Sequence, residues 1–357
     1  MNRASRVWLA AGCFALCALH ATAAPAATAE EFAVGADVSF LADAEAAGVV
    51  FKEDGAPKPG LQIFKDHGYN WVRLRLFHSP DRLPNDLEYT IAAAQAAKKL
   101  GFKVLLNFHY SDTWADPEKQ FLPRAWEGLS KDELVQAVFE YTRDTIAAFR
   151  EAGAMPDMVQ PGNEVIGGML WPHGRAPKNW ETFAQLFNAG ARGVKAGCGD
   201  AAAPPIMMHI DRGGDRAATE WFFNACQQHG IEFDVIGQSY YPWWHGTLDD
   251  LRANLAFMAN EYDKDIYLVE VAYNWKPAEY RDKAAPFPET PAGQKAFLEQ
   301  VRQAVLETPH GRGKGIFWWE PAVRPGGISS RGLFDDEGHA LPAISVFDDA
   351  GRAAAAP

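Results

Sequence analysis

Eight short apolar runs punctuate the chain: Ala33–Val38, Trp71–Phe77, Val104–Phe108, Met158–Gly162, Ile206–Ile210, Val235–Tyr240, Ile266–Val271 and Gly315–Trp319. Most are too continuous in apolar residues for a sheet with one wet face, and read as parallel strands buried on both sides. Helical spacing fills the intervals. Ile91–Leu100 is Ala-rich and stops at Gly101, a natural helix terminator. Ser130-x-x-Glu133 is a capping box in front of Leu134, Val138 and Tyr141. Phe183, Leu186, Phe187 and Val194 form a further helical stripe, as do Leu251, Leu255 and Met258, then Phe297, Val301 and Val305. This β-then-α rhythm predicts an α/β fold, a single (β/α)₈ TIM barrel over residues 30–352. The alternative is an open doubly wound sheet, but no Gly-rich phosphate turn follows the first strand. No Pro/Gly/Ser linker divides the chain, and 353–357 reads as a disordered tail.

The first 29 residues fall outside this rhythm. Arg3 and Arg6 precede the apolar stretch Val7–Leu19 and the small residues Ala21-Thr22-Ala23-Ala24. That pattern is a secretory signal, with cleavage expected at about residues 23–29. The expected product is secreted or periplasmic. The apolar stretch is too short to span a bilayer comfortably, and no other segment approaches the roughly 20 apolar residues of a membrane helix.

Composition narrows the partners. The 357 residues carry a formal charge of −12, and loss of Arg3 and Arg6 with no acid makes it −14. An acidic surface disfavours nucleic acid or an anionic membrane as a partner. Of four cysteines, Cys13 and Cys17 leave with the signal. Cys198 and Cys226 remain as one possible disulfide or two separate thiols. A monomer is expected. The 12 tryptophans are many for this length. Trp71, Trp180 and Trp221 have helix or strand settings that suggest core. Trp114, Trp171, Trp243, Trp244 and Trp319 follow strand ends, where an indole can stack on a sugar face.

In a (β/α)₈ barrel the active site lies at the C-terminal ends of the strands. There the chain places Asp37, Arg73, Arg75, His109, Asp112, Asn163, Glu164, His209, Asp211, Ser239, Tyr241, Glu270, Trp319 and Glu320. Acids, hydroxyls, imidazoles and indoles in that density suit a polyhydroxylated ligand. Asp37, Arg73, His109, Asp112, Trp114, Asn163, Trp171, His209, Asp211, Ser239, Tyr241 and Trp319 are the candidate substrate contacts. Glu164 ends the fourth strand and Glu270 the seventh, on opposite sides of an eight-stranded ring. Glycoside cleavage requires one acid to protonate the leaving oxygen and one carboxylate across the anomeric carbon. Glu164 is the candidate acid/base, which needs a raised pKa. Glu270 is the candidate nucleophile, with Arg73 and Tyr241 as donors to it. Glu320, followed by Pro321, reads as structural.

Phe108-His109-Tyr110-Ser111-Asp112-Thr113-Trp114-Ala115-Asp116-Pro117 resembles the third-strand signature of the endo-β-1,4-galactanases, glycoside hydrolase family 53. The similarity extends through Gly35-Ala36-Asp37-Val38-Ser39, Val72-Arg73-Leu74-Arg75, Gly162-Asn163-Glu164, Gly168-Met169-Leu170-Trp171-Pro172, Met208-His209-Ile210-Asp211, Ser239-Tyr240-Tyr241-Pro242, Val269-Glu270 and Trp318-Trp319-Glu320-Pro321, from Val34 to Phe347. The resemblance implies a retaining glycosidase of clan A, with Glu164 as acid/base and Glu270 as nucleophile. It also implies β-1,4-galactan, the side chain of type I arabinogalactan in pectin, as the polysaccharide substrate. The chain departs from the family at Asn107, where Asp is usual, and at Pro161, which replaces an apolar residue. Proline cannot donate to a sheet ladder, so the fourth strand should end or bulge there. Some bacterial members carry calcium in the loops after strands seven and eight. The segment Ala272–Gln294 is short and poor in clustered acids here, so no metal and no cofactor are expected.

Other readings make different demands. A metal hydrolase could use His109, His209, Asp37 and Asp211, but no His-x-His ends a strand and no His-Glu-x-x-His occurs. A non-catalytic sugar-binding barrel would keep the aromatics and lose one carboxylate. On fold grounds alone, a mannanase or cellulase of the same clan shares this strand-end chemistry.

Overall fold

A computed structural model describes residues 32–278 and 285–348. The signal segment and the C-terminal tail anticipated from the sequence lie outside the described residues.

All eight anticipated strands form: β1 (Ala33–Asp37), β2 (Trp71–Leu76), β3 (Lys103–Phe108), β4 (Met158–Pro161), β5 (Met207–Ile210), β6 (Val235–Tyr240), β7 (Ile266–Val271) and β8 (Gly313–Trp318). They are parallel neighbours in the order 4-3-2-1-8-7-6-5. A single bridge, Val159 to Ile206, joins β4 to β5 and completes the ring. β4 stops at Pro161, which has no N–H of its own to donate to a neighbouring strand, although Gly162 N still donates to Phe108 O at 2.9 Å. Gly162 then turns the chain with φ +87°.

The helices are α1 (Leu41–Ala46), α2 (Gly60–Asp66), α3 (Leu87–Lys99), α4 (Lys131–Glu151), α5 (Trp180–Gly197), α6 (Arg216–Gln228), α7 (Leu248–Glu261) and α8 (Pro291–Leu306). The capping box at Ser130 and Glu133 opens α4. α3 begins one turn earlier than the apolar pattern implied, because the Asp86 side chain caps it by accepting from Tyr89 N. The regular alternation is interrupted, among other places by a hairpin after β4 (Gly168–Met169 with Gly174–Arg175). Two short helices and a small hairpin (Lys52–Glu53 with Ala56–Pro57) follow β1, and a 3₁₀ segment, Pro342–Phe347, takes the final helix position.

Inside the ring the side chains form levels. The lowest level is apolar: Ala33, Trp71, Leu105, Met158, Met207, Val235, Tyr267 and Phe317. Gly35 is required here, since a Cβ would stand 2.1 Å from the Phe317 ring. Two residues further along, the inward positions of four strands become polar, with Arg73 on β2, Asn107 on β3, Gln160 on β4 and His209 on β5 all fully or almost fully buried, while Val269 on β7 stays in the apolar cluster. The alternation of a strand therefore delivers a dry floor and a polar layer directly above it. The larger apolar shell lies between strands and helices, where Leu74, Leu106, Val159, Ile210, Ile236 and Leu268 meet the helix stripes.

Cys198 and Cys226 are separate buried thiols. Trp71 is core as expected. Trp221 is not: it is 43% exposed and packs at a tilt against half-buried Trp180. The helical spacing of α6 placed it near the protein but could not show that its outer edge stays wet. Among the described residues no helix is long and apolar enough to cross a membrane.

Candidate active site

The strand ends open into a cleft of about 980 Å³. Of the residues read from the sequence, His109, Trp114, Asn163, Glu164, Asp211, Tyr241, Glu270 and Trp319 line it. Trp244, singled out as a stacking candidate, also lines it and is 45% exposed. Trp243 instead is buried, with its ring stacked on Tyr273 at 5.3 Å.

Glu164 and Glu270 face one another. Ligand atoms of Glu164, His209 and Glu270 all lie within 4.8 Å of each other. Glu164 follows the Pro161–Gly162 turn and adopts φ 48°, ψ 52°, a left-handed conformation that a non-glycine residue holds only when its surroundings enforce it. It is 9% exposed, and Ser239 Oγ donates to its Oε1 at 2.7 Å. Burial holds its pKa well above the ordinary 4.5, and the nearby Glu270 and Asp211 carboxylates add to the rise.

Glu270 meets the opposite environment. Arg73 Nη1 contacts its Oε1 at 2.8 Å and Tyr241 Oη donates to its Oε2 at 3.0 Å. Arg73 is itself wholly buried, and its remaining donors go to Asp37 at 2.9 Å, Asn163 Oδ1 at 2.8 Å and Gln160 Oε1. Burying a guanidinium is tolerable only with this degree of pairing.

Asp37, Arg73, His209 and Ser239 thus sit in the layer beneath the cleft lining, with their polar atoms engaged by protein. Asn163 bridges the two levels. Its Oδ1 accepts from Arg73 and from Asn107 Nδ2 at 3.0 Å, while its Nδ2 donates to Ala115 O at 2.9 Å. One Nδ2 proton remains for a ligand. Asn107, the departure from the family pattern, joins this web and also accepts from Gln160 at 2.8 Å.

Two further candidates lie off the cleft lining. Asp112 accepts from Ser79 N and Arg124 N and pairs with the Arg124 side chain, so it ties loops together. Trp171 donates its indole N–H to Gly167 O and carries the Arg175 guanidinium over its ring at 4.3 Å.

Arg75, placed at a strand end by the sequence but not among the expected substrate contacts, also lines the cleft, as do Arg212, His245, Ile328 and Arg331, which sequence reasoning passed over. Arg75 had a signal in its position at a strand end. Its Nη2 pairs with Asp37 and Glu320, and its face lies 4.0 Å from the Trp114 ring centroid. Its buried Nη1 has no protein partner, and neither has Asp211 Oδ1, so both suit ligand hydroxyls. Burial raises Asp211 to about 7 and Glu320 to about 8. Ile328 and Arg331 come from the loop after β8, and nothing in their local pattern marks them.

Among the described residues, Glu164, His209 and Glu270 form the one group with metal-binding spacing. The Glu164 amide donates to His209 Nδ1 at 3.3 Å, so the lone pair of the neutral ring is already committed. These residues fit a carboxylate pair better than a metal ligand set.

The glycosyl hydrolase family 53 model matches residues 33–347. The chain is 36% identical over 332 residues to an arabinogalactan endo-β-1,4-galactanase of Thermothelomyces thermophilus, covering 88% of this chain and 98% of that protein. An arabinogalactan endo-β-1,4-galactanase of Cellvibrio japonicus is 36% identical over 82% of this chain and 80% of its own length. Among solved structures, the Ignisphaera aggregans GH53 catalytic domain superposes with a TM-score of 0.84 at 34% identity, covering 89% of this chain and 95% of that one. With the family match spanning nearly the whole barrel and a carboxylate pair across its mouth, the chain belongs to glycosyl hydrolase family 53.

Proposed function

We propose that the protein is an exported endo-β-1,4-galactanase that cleaves the galactan of type I arabinogalactan by double displacement, with retention at the anomeric carbon. The substrate follows from the named activities of its relatives. The mechanism rests on one observation: Glu164 and Glu270 present oxygens within 4.8 Å of each other. Retaining enzymes hold their carboxyl groups about 5–5.5 Å apart, whereas inverting ones leave about 6.5–9.5 Å for a water.

In this reading Glu270 attacks the anomeric carbon while Glu164 passes its proton to the departing glycosidic oxygen. A galactosyl-enzyme ester forms on Glu270. Glu164, now a carboxylate, takes a proton from the water that opens the ester. Arg73 and Tyr241 aim the Glu270 carboxylate through one contact on each oxygen. Glu164 reaches the reaction protonated because its buried site penalises the charge. Trp114, Trp244 and Trp319 offer apolar faces to sugar rings. No cofactor is needed for this chemistry, and we assign the active form as a monomer acting outside the cytoplasm.

A reducing-end assay on β-1,4-galactan, mannan, xylan and cellulose tests the substrate. Cleavage of galactan alone is expected, and preference for another glycan overturns the assignment. Proton NMR of the first-released anomer tests the mechanism: a β product is expected, and an α product rejects retention. Loss of activity to a chelator, with recovery on adding zinc or manganese, would instead favour a metal hydrolase.

A further inference from the structure

Three hydrogen bonds around Glu164 close on themselves. Its backbone N–H donates to His209 Nδ1 at 3.3 Å. His209 Nε2 lies 2.9 Å from Ser239 Oγ. Ser239 Oγ donates to Glu164 Oε1 at 2.7 Å. A backbone amide can only donate, so Nδ1 must be the acceptor, and Gln160 Nε2 at 3.0 Å donates to the same atom. Burial, with Arg73 and His245 nearby, holds His209 well below its ordinary pKa, so the ring is neutral. A neutral ring with Nδ1 accepting carries its proton on Nε2, and that proton points to Ser239 Oγ. The hydroxyl proton of Ser239 is then directed to Glu164 Oε1.

We infer that His209 and Ser239 form, with Glu164 itself, a closed hydrogen-bond circuit that keeps the catalytic proton on Oε2 and governs its release. This inference rests on the proposed acid/base role of Glu164. Oε1 accepts from Ser239 and is not free to hold the proton in the same direction. The proton therefore resides on Oε2, to which no hydrogen bond is made among the described residues. In the first half-reaction it moves from Oε2 to the glycosidic oxygen, which keeps the electron pair of the broken C–O bond. The carboxylate left behind gains the Ser239 hydrogen bond in full, with His209 polarising the hydroxyl from behind. In the second half-reaction Oε2 accepts the proton of the attacking water. The circuit begins at the main chain of Glu164, so the left-handed backbone and the carboxyl are aligned by the same imidazole. His209 and Ser239 are positioning residues: they act through Glu164.

Other charges also face Glu164: Glu270 on β7, Asp211 after β5 and Asp116 after β3, with Arg73 and His245 acting on His209. Each remains in place when Ser239 alone is changed. The test is the pH dependence of kcat/KM in Ser239→Ala. Removing a donor to the carboxylate raises the Glu164 pKa, so the alkaline limb should move up by about one pH unit. Turnover of galactan should fall about tenfold, with a smaller loss on an aryl β-galactobioside bearing a good leaving group. His209→Asn keeps an acceptor for the Glu164 amide and removes the donor to Ser239. It should move the limb in the same direction by a smaller amount. An unmoved limb in a cooperatively folded Ser239→Ala protein overturns the inference, because a purely structural role lowers activity without changing that limb. Should Ser239→Ala fail to fold, the His209→Asn profile decides by the same criterion. Glu164→Gln distinguishes the underlying reading: if it retains galactan cleavage with the alkaline limb intact, the acid/base assignment itself is rejected.

Discussion

Arg73 touches Asp37 at 2.9 Å and Glu270 at 2.8 Å through the same nitrogen, Nη1. One guanidinium from β2 thereby joins the start of the barrel to the candidate nucleophile on β7. The arrangement makes Arg73 both a structural and a chemical element, and its removal should be felt in both respects.

Arg73→Met leaves Asp37 and Glu270 buried without their shared cation. Breaking a buried pair in this way costs about 3–5 kcal/mol. Urea denaturation at neutral pH should show a lowered midpoint with an unchanged slope. The surviving folded fraction should have little activity on galactan. Wild-type stability would mean that the charges relax without Arg73.

The two carboxylates should separate kinetically. Glu270→Ala should lose on the order of 10⁴-fold or more in kcat on every substrate, since no ester can form. Glu164→Ala should lose comparably on galactan but far less on an aryl glycoside whose leaving group needs no proton. Equal losses on both substrates in the Glu164 variant contradict the division of roles.

The raised pKa of Glu164 carries a stability cost whose sign is determined by linkage. The folded state holds this proton more tightly than the unfolded chain, so stability declines as pH rises from about 4.5 toward the folded pKa. Glu164→Gln removes that penalty. Its stability gain over wild type should be smallest near pH 4.5 and grow with pH, by up to about 1.4 kcal/mol per unit within the window. A gain independent of pH would trace to something other than this carboxyl.

Trp244 is 45% exposed at the cleft margin, so truncating it should barely affect folding. Trp244→Ala should raise KM for galactan about three- to tenfold, in keeping with about 0.5–1.5 kcal/mol for an aromatic contact. Initial-rate measurements with a thermal melt as control test this. An unchanged KM places the polymer elsewhere along the cleft.

The strand runs and their terminal residues were legible because parallel strands buried on both faces must be continuously apolar, and the barrel sends their ends to one face. Glu164 and Glu270 could therefore be paired from their places in strands four and seven. The ends of regular elements were less legible. Asp86 lengthened α3 by capping, and a 3₁₀ segment, Pro342–Phe347, follows β8, both local choices that hydrophobic spacing does not encode.

Residue type alone also did not separate the cleft lining from the layer that supports it. His209 and Ser239 have the chemistry of sugar-binding residues, yet their polar atoms are engaged beneath the cleft by Glu164 and one another. Trp221 has the spacing of a core residue and lies at the surface.

Sequence by itself determined the barrel, the identity of the carboxylate pair and the aromatic character of the surrounding loops, because each follows from periodicity or from position in a strand. Tertiary structure decided the approach of Glu164 to Glu270, the sharing of Arg73 between two acids and the closing of the Glu164 circuit. Those depend on the twist and stagger of eight strands around a ring, which bring atoms from distant segments within hydrogen-bonding distance.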